Sequence, residues 1–275
     1  GRTEMALQFE PDRCRKLNDI ARAALDFAQT AATLALSPVD ATVIMLDHEK
    51  VGVEVGSIEC LNANVQTHLP RLHPNDPDPP PAPVNTRPNA RDDAVPLLVG
   101  GEHTVTIAAV RALVPDVFVC TDAHLDLRES YAGDERSHAT VTRHALAVAD
   151  RVAVLGARTG SEAEWERARE GDVTVVPPED VADWTPDIDG ERAYLSVDID
   201  AADPAFAPVP GTPEPFGLAP RELRDVVRAV APHAVGFDVV EVNDRDDGQA
   251  ATLAAKLLRA FVFAHASGYS SSRND

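Results

Sequence analysis

Cysteine is scarce: Cys14, Cys60 and Cys120 are far apart and odd in number, which excludes a disulfide framework and a zinc ribbon. The three read as small hydrophobes in a reducing compartment. No apolar run approaches the roughly 20 residues that span a bilayer. The first ten residues carry neither a basic start nor an apolar centre, so no export signal is expected and the location expected is cytoplasmic. No internal repeat is visible. Lysine is nearly missing, with only Lys16, Lys50 and Lys256.

What is there points the other way. Acidic residues outnumber basic ones to give a net charge of −20. Such a surface repels nucleic acid and anionic membranes, and neither is expected as a partner. The excess fits a high-salt interior, where screening relieves self-repulsion, or the attraction of a cationic substrate. Hydrophobic residues make up 44% of the 275, enough for a folded chain with a full core.

From residue 97 onward short β-branched runs alternate with amphipathic stretches. Strands are expected at 96–99, 116–120, 151–155, 173–176, 193–197 and 234–242. Helices are expected at 104–114, 138–149, 161–170, 220–230 and 249–266. This alternation predicts βαβ units, and hence an α/β fold with three layers, α/β/α, around a mostly parallel sheet. The whole chain, 1–275, reads as one domain whose core is 97–266. Residues 1–96 are a divergent N-terminal part, with a helix at 12–35, a strand at 41–46 and a proline-rich loop at 68–96.

Four segments carry chemistry: Gly100-Gly101-Glu102-His103, Asp122-Ala123-His124-Leu125-Asp126, Asp198-Ile199-Asp200, and Glu241-Val242-Asn243. Each begins where an expected strand ends, and in a parallel sheet those ends share the edge where ligands bind. Two imidazoles and four carboxylates brought together need a cation. Carboxylate with imidazole and no thiolate suits manganese better than structural zinc. Six protein ligands suit two ions about 4 Å apart, bridged by carboxylates and a water. Alone, each segment is a weak signal; in order, each closing a strand, they are a strong one.

These segments resemble the signature motifs of the ureohydrolase family, which holds arginase, agmatinase, guanidinobutyrase and formiminoglutamase. The third is the most specific, running from Ser196 through Asp203-Pro204 to Gly211-Thr212-Pro213. The resemblance implies an arginase-like fold and two manganese ions per chain. The first would be held by His103, Asp122, Asp126 and Asp198, the second by Asp122, His124, Asp198 and Asp200. It implies that a water of lowered pKa attacks a guanidinium carbon, releasing urea and an amine. Glu241 would pair with the guanidinium, His138 would pass a proton to the leaving amine, and Thr212 would contact substrate. His144, the other histidine near this loop, sits inside an expected helix and reads as structural.

No Ser-Gly-Asn pattern precedes His138, and the stretch 125–144 looks instead like archaeal agmatinases. That resemblance favours agmatine as substrate and putrescine as product, over arginine, guanidinobutyrate or formiminoglutamate. It also implies a homo-oligomer, trimer or hexamer. The sequence departs from the family at Glu102, where aspartate is commoner, at Val209-Pro210, at Phe216 in place of a glycine, and at Asp244 in place of a proline. Two other readings are a deacetylase-type hydrolase with one zinc and a catalytically silent metal-binding homologue.

Overall fold

A computed structural model describes residues 40–46, 94–100, 102–188, 190–208, 211–242, 246 and 248–272. The helix expected at 12–35, most of the proline-rich loop, Gly101, Val209-Pro210 and Asn243-Asp244 lie outside the described residues.

Seven strands form one sheet: β1 (Asp40–Leu46), β2 (Ala94–Gly100), β3 (Val117–Thr121), β4 (Arg151–Leu155), β5 (Val173–Val176), β6 (Ala193–Asp198) and β7 (Ala234–Val240). Their order is β1-β2-β7-β6-β3-β4-β5, and every pairing is parallel. The helices are α1 (Val105–Leu113), α2 (Val141–Leu146), α3 (Glu162–Ala168), α4 (Pro220–Val230) and α5 (Gln249–Ser272). None of these is long and apolar enough to cross a membrane.

The central strands are apolar on both faces because both faces are covered. In β3, Val117 and Val119 join one core cluster while Phe118 and Cys120 join the other. β4 splits the same way, Ala153 and Leu155 against Val152 and Val154. The first cluster packs under α4 and α5, the second under α1 and α2. The three-layer architecture therefore follows from strand patterning alone. Helix α4 has proline in its first turn and buries Leu223, Val226, Val227 and Val230, a spacing that puts all four on one face. Arg221, Glu222, Arg224, Asp225 and Arg228 are among the other positions.

Two boundaries differ from expectation. The strand expected at 96 begins at Ala94, and β1 pairs with it, so part of the supposed divergent region belongs to the sheet. The helix expected at 138–149 is broken: His138–Thr140 is a single 3-10 turn capped by Ser137, and α2 begins only at Val141. Thr140 at φ −125 is not helical, and its hydroxyl returns to the carbonyls of Glu135 and Ser137. That local bond competes with helix continuation.

Chain order reverses between β3 and β6: β4 and β5 lie outward from one, β7 from the other. The crevice at the carboxyl ends of β3 and β6 is thus the topological switch point, where open α/β sheets bind ligands.

Candidate metal centre

All six side chains expected at a metal meet at this switch point. β3 leads into Asp122, and the residues that follow deliver His124 and Asp126, the last in the left-handed region. β6 ends on Asp198, with Asp200 in the 3-10 turn that follows. His103, from the end of β2, reaches over β7 to join them.

His103 Nδ1 lies 3.4 Å from Asp122 Oδ2, 3.1 Å from Asp126 Oδ2 and 3.4 Å from Asp198 Oδ2. His124 Nδ1 lies 3.0 Å from Asp200 Oδ2 and 3.4 Å from Asp122 Oδ1. The Asp200 amide donates to Asp198 Oδ1 at 2.9 Å, and the Ala123 amide to Asp200 Oδ1 at 3.0 Å. Thus there are two imidazole-centred groups, with Asp122 common to both.

His103 is fully buried, and its Nδ1 has no hydrogen-bond partner. Its other nitrogen, Nε2, lies 3.1 Å from Ser196 Oγ, whose hydroxyl donates to Asp238 Oδ1 at 2.5 Å. The fully buried Asp238 also accepts from Tyr194 Oη at 2.6 Å and Thr106 Oγ1 at 2.7 Å. This chain fixes the tautomer: Nε2–H points at Ser196, and Nδ1 offers its lone pair to the carboxylates. A buried lone pair facing three carboxylate oxygens repels them unless a proton or a cation lies between.

The titration of these groups tells the same story. Burial alone would lower the His103 imidazole, but Asp126, Asp122 and Asp238 outweigh it and hold it up at about 10. Burial likewise opposes His124, and Asp122 and Asp200 carry it to about 11. Burial and the Asp122 charge push Asp126 up to about 7. Burial with Asp200 and Asp122 drives Asp198 well up. Burial pushes Asp200 up too, yet His124 and the Ala123 amide pull it below its usual value. So much buried negative charge is the electrostatic signature of a cation site. Cys120 lies within ligand reach of His103 and Asp122. Burial and the surrounding carboxylates drive its thiol well up.

Asp126 and Glu241 sit at φ 52 and φ 56, in the left-handed region. Each such residue costs on the order of 1–3 kcal/mol, and such strain clusters at functional sites. Glu241 follows β7 and accepts the His103 amide at 2.9 Å. Burial and Glu102 raise its carboxyl. His138, half-exposed, places Nδ1 3.4 Å from Glu102 Oε1, with its ring 5.1 Å from that of Tyr131. Glu102 raises the imidazole. Thr212 Oγ1 stands 3.3 Å from His124 Nε2. His144 bridges Arg111 and the Glu135 carbonyl, away from the cluster and in keeping with a structural part.

The family model described as the arginase family matches residues 41–264. The chain belongs to the arginase family. Among its relatives, the N(1)-aminopropylagmatine ureohydrolase of Thermococcus kodakarensis is 39% identical over 176 residues, covering 62% of this chain and 61% of that protein. The agmatinase of Pyrococcus horikoshii is 36% identical over 178 residues, covering 60% of this chain and 61% of that one. This arginase-family chain therefore spans about three fifths of the length of the curated relatives it matches. The crystal structure of the agmatine ureohydrolase of Thermoplasma volcanium superposes with a TM-score of 0.61 at 38% identity, over 66% of each chain.

Sequence reasoning missed two supports. Asp238 was legible as a charge inside an apolar strand, since buried charges are paired. Arg158, directly after β4, had only its place at the same sheet edge to mark it.

Proposed function

We propose that this arginase-family chain is a dinuclear manganese hydrolase that cleaves a guanidino group to urea and an amine, with agmatine as substrate and putrescine as product. The observation that carries the reading is the buried, unpartnered His103 Nδ1 facing Asp122, Asp126 and Asp198, beside the second group of His124, Asp122 and Asp200. The first ion is assigned to His103, Asp122, Asp126 and Asp198, the second to Asp122, His124, Asp198 and Asp200. When bound there, the ions would supply a water of lowered pKa as the nucleophile.

The remaining work falls to the chain. Glu241 offers two carboxylate oxygens to the planar guanidinium, a geometry that orients its carbon toward the crevice. His138, whose imidazole is raised by Glu102, donates to the leaving amine. Agmatine is a dication, and a chain with net charge −20 attracts it. Agmatinase relatives support the same substrate. Polyamine synthesis in a salt-rich cytoplasm and assembly as a trimer or hexamer complete the reading. Phe216 favours a second one, a silent metal-binding homologue. It is 86% exposed at φ 65, where the family carries glycine.

Urea release from agmatine, arginine and guanidinobutyrate, measured with added manganese alongside metal content, decides between them. Agmatine is expected to give the highest kcat/KM. No urea from any substrate, with two ions bound, selects the silent homologue; one zinc ion per chain sinks the dinuclear assignment.

A further inference from the structure

Arg158 follows β4 as Gly156-Ala157-Arg158, and its guanidinium is occupied entirely by backbone carbonyls. Nη2 donates to Asp200 O at 2.9 Å and Glu214 O at 2.7 Å. Nε donates to Pro215 O at 3.1 Å, and Nη1 to Gly156 O at 2.9 Å and Ala201 O at 3.4 Å. Nη2 also reaches Ala202 O at 3.5 Å, so the rigid planar fork spans six backbone carbonyls, a task lysine cannot perform.

The carbonyls come from separate segments. One carries Asp200; the other, residues 211–217, carries Thr212, whose hydroxyl lies on His124 Nε2. Backbone joins in as well: the Arg158 amide donates at 2.9 Å to the carbonyl of Ala123, which sits between Asp122 and His124. Gly217 lets the second segment sit this close. A Cβ there would lie 2.6 Å from both Arg158 Nη2 and the Asp203 amide.

The two halves of the centre are thus supported differently. His103 is held inside the sheet through Ser196, Asp238, Tyr194 and Thr106, in bonds that do not involve Arg158. His124, whose side chain is 23% exposed, depends on segments that Arg158 ties together. We infer that Arg158 is the positioning residue of the His124/Asp200 half, and that this half loses its cation independently of the His103 half. The inference rests on the two-ion reading above.

The test is manganese content and manganese electron paramagnetic resonance of Arg158→Ala, Arg158→Lys and Thr212→Val. Wild type should hold about two ions per chain with a spin-coupled signal. Arg158→Ala should hold about one and give an isolated-ion spectrum, its second-ion affinity falling about 10–100-fold, as for other supports of metal ligands. Arg158→Lys keeps the charge and should fail in the same way. A folded variant that keeps both ions at wild-type affinity, or loses both equally, overturns the inference. If the arginine variants do not fold, Thr212→Val is read in their place: it must weaken the second ion alone, and wild-type metal binding overturns the inference. A wild-type chain with fewer than two ions refutes the two-ion reading itself, and does so before any substitution is made.

Discussion

Asp238→Asn tests the support of His103 with almost no change in shape. The carboxylate accepts three hydrogen bonds, from Tyr194, Ser196 and Thr106, in a fully buried position. Asparagine has one acceptor oxygen for those donors and an NH2 that needs acceptors of its own. If the oxygen keeps Tyr194 and Thr106, the NH2 faces Ser196, whose hydroxyl must turn round. Its proton then points at His103 Nε2, and the imidazole proton moves to Nδ1, where a cation should bind. A charged hydrogen bond contributes about 1.5–3 kcal/mol. Burial raises the Asp238 carboxyl, so removing that charge gives some desolvation energy back. The metal-free fold should therefore lose about 1–2 kcal/mol in urea unfolding. Manganese affinity should fall about 10–100-fold, the usual penalty for losing a partner of a ligand histidine. Nitrogen chemical shifts of His103 would report the tautomer directly. Wild-type manganese affinity with Nε2 still protonated would refute the argument.

Glu102→Gln removes the main group that raises His138, so the imidazole should titrate at lower pH, and any alkaline limb of activity should move down with it. A histidine with a raised folded pKa stabilises below its unfolded value of about 6.5 and loses that contribution as pH rises through the folded value. The pair therefore stabilises on the acid side of the His138 titration for as long as Glu102 stays ionised, and an unchanged His138 titration by NMR would contradict the assignment. Glu164→Ala should cost about 2–4 kcal/mol in denaturant unfolding, because the buried carboxylate caps α3 at Ser161 and also accepts from the Leu127 amide and Arg128 Nε. Wild-type stability would remove Glu164 as the anchor of the 126–128 segment.

The architecture was readable because buried parallel strands leave a plain mark. Val117-Phe118-Val119 and Val152-Ala153-Val154 are apolar at every position, which only a doubly covered sheet permits. Strand order was not readable. Nothing in β3 or β6 names the other as partner, and neighbourhood is settled by the helices that cross between them. The broken helix at 138–146 was hidden for a local reason: apolar spacing persists through Thr140, while its hydroxyl draws backbone bonding away from the helix.

At the site, legibility follows the kind of bond. A proposed metal ligand must be a particular side chain at a particular strand end, so the candidates His103, Asp122, His124, Asp126, Asp198 and Asp200 were visible as residue types in a pattern. Asp238 was half visible, because a charge within an apolar strand must have partners even when they cannot be named. Arg158 leaves almost no trace, since its acceptors are backbone carbonyls, those of Gly156, Asp200, Ala201, Ala202, Glu214 and Pro215, which every residue possesses. Gly217 alone hints at the clamp in sequence, because a methyl group there would strike the guanidinium and the backbone at 202–203. Supports that act through backbone atoms are selected by shape, not by residue type, and so they surface only once the chain is folded.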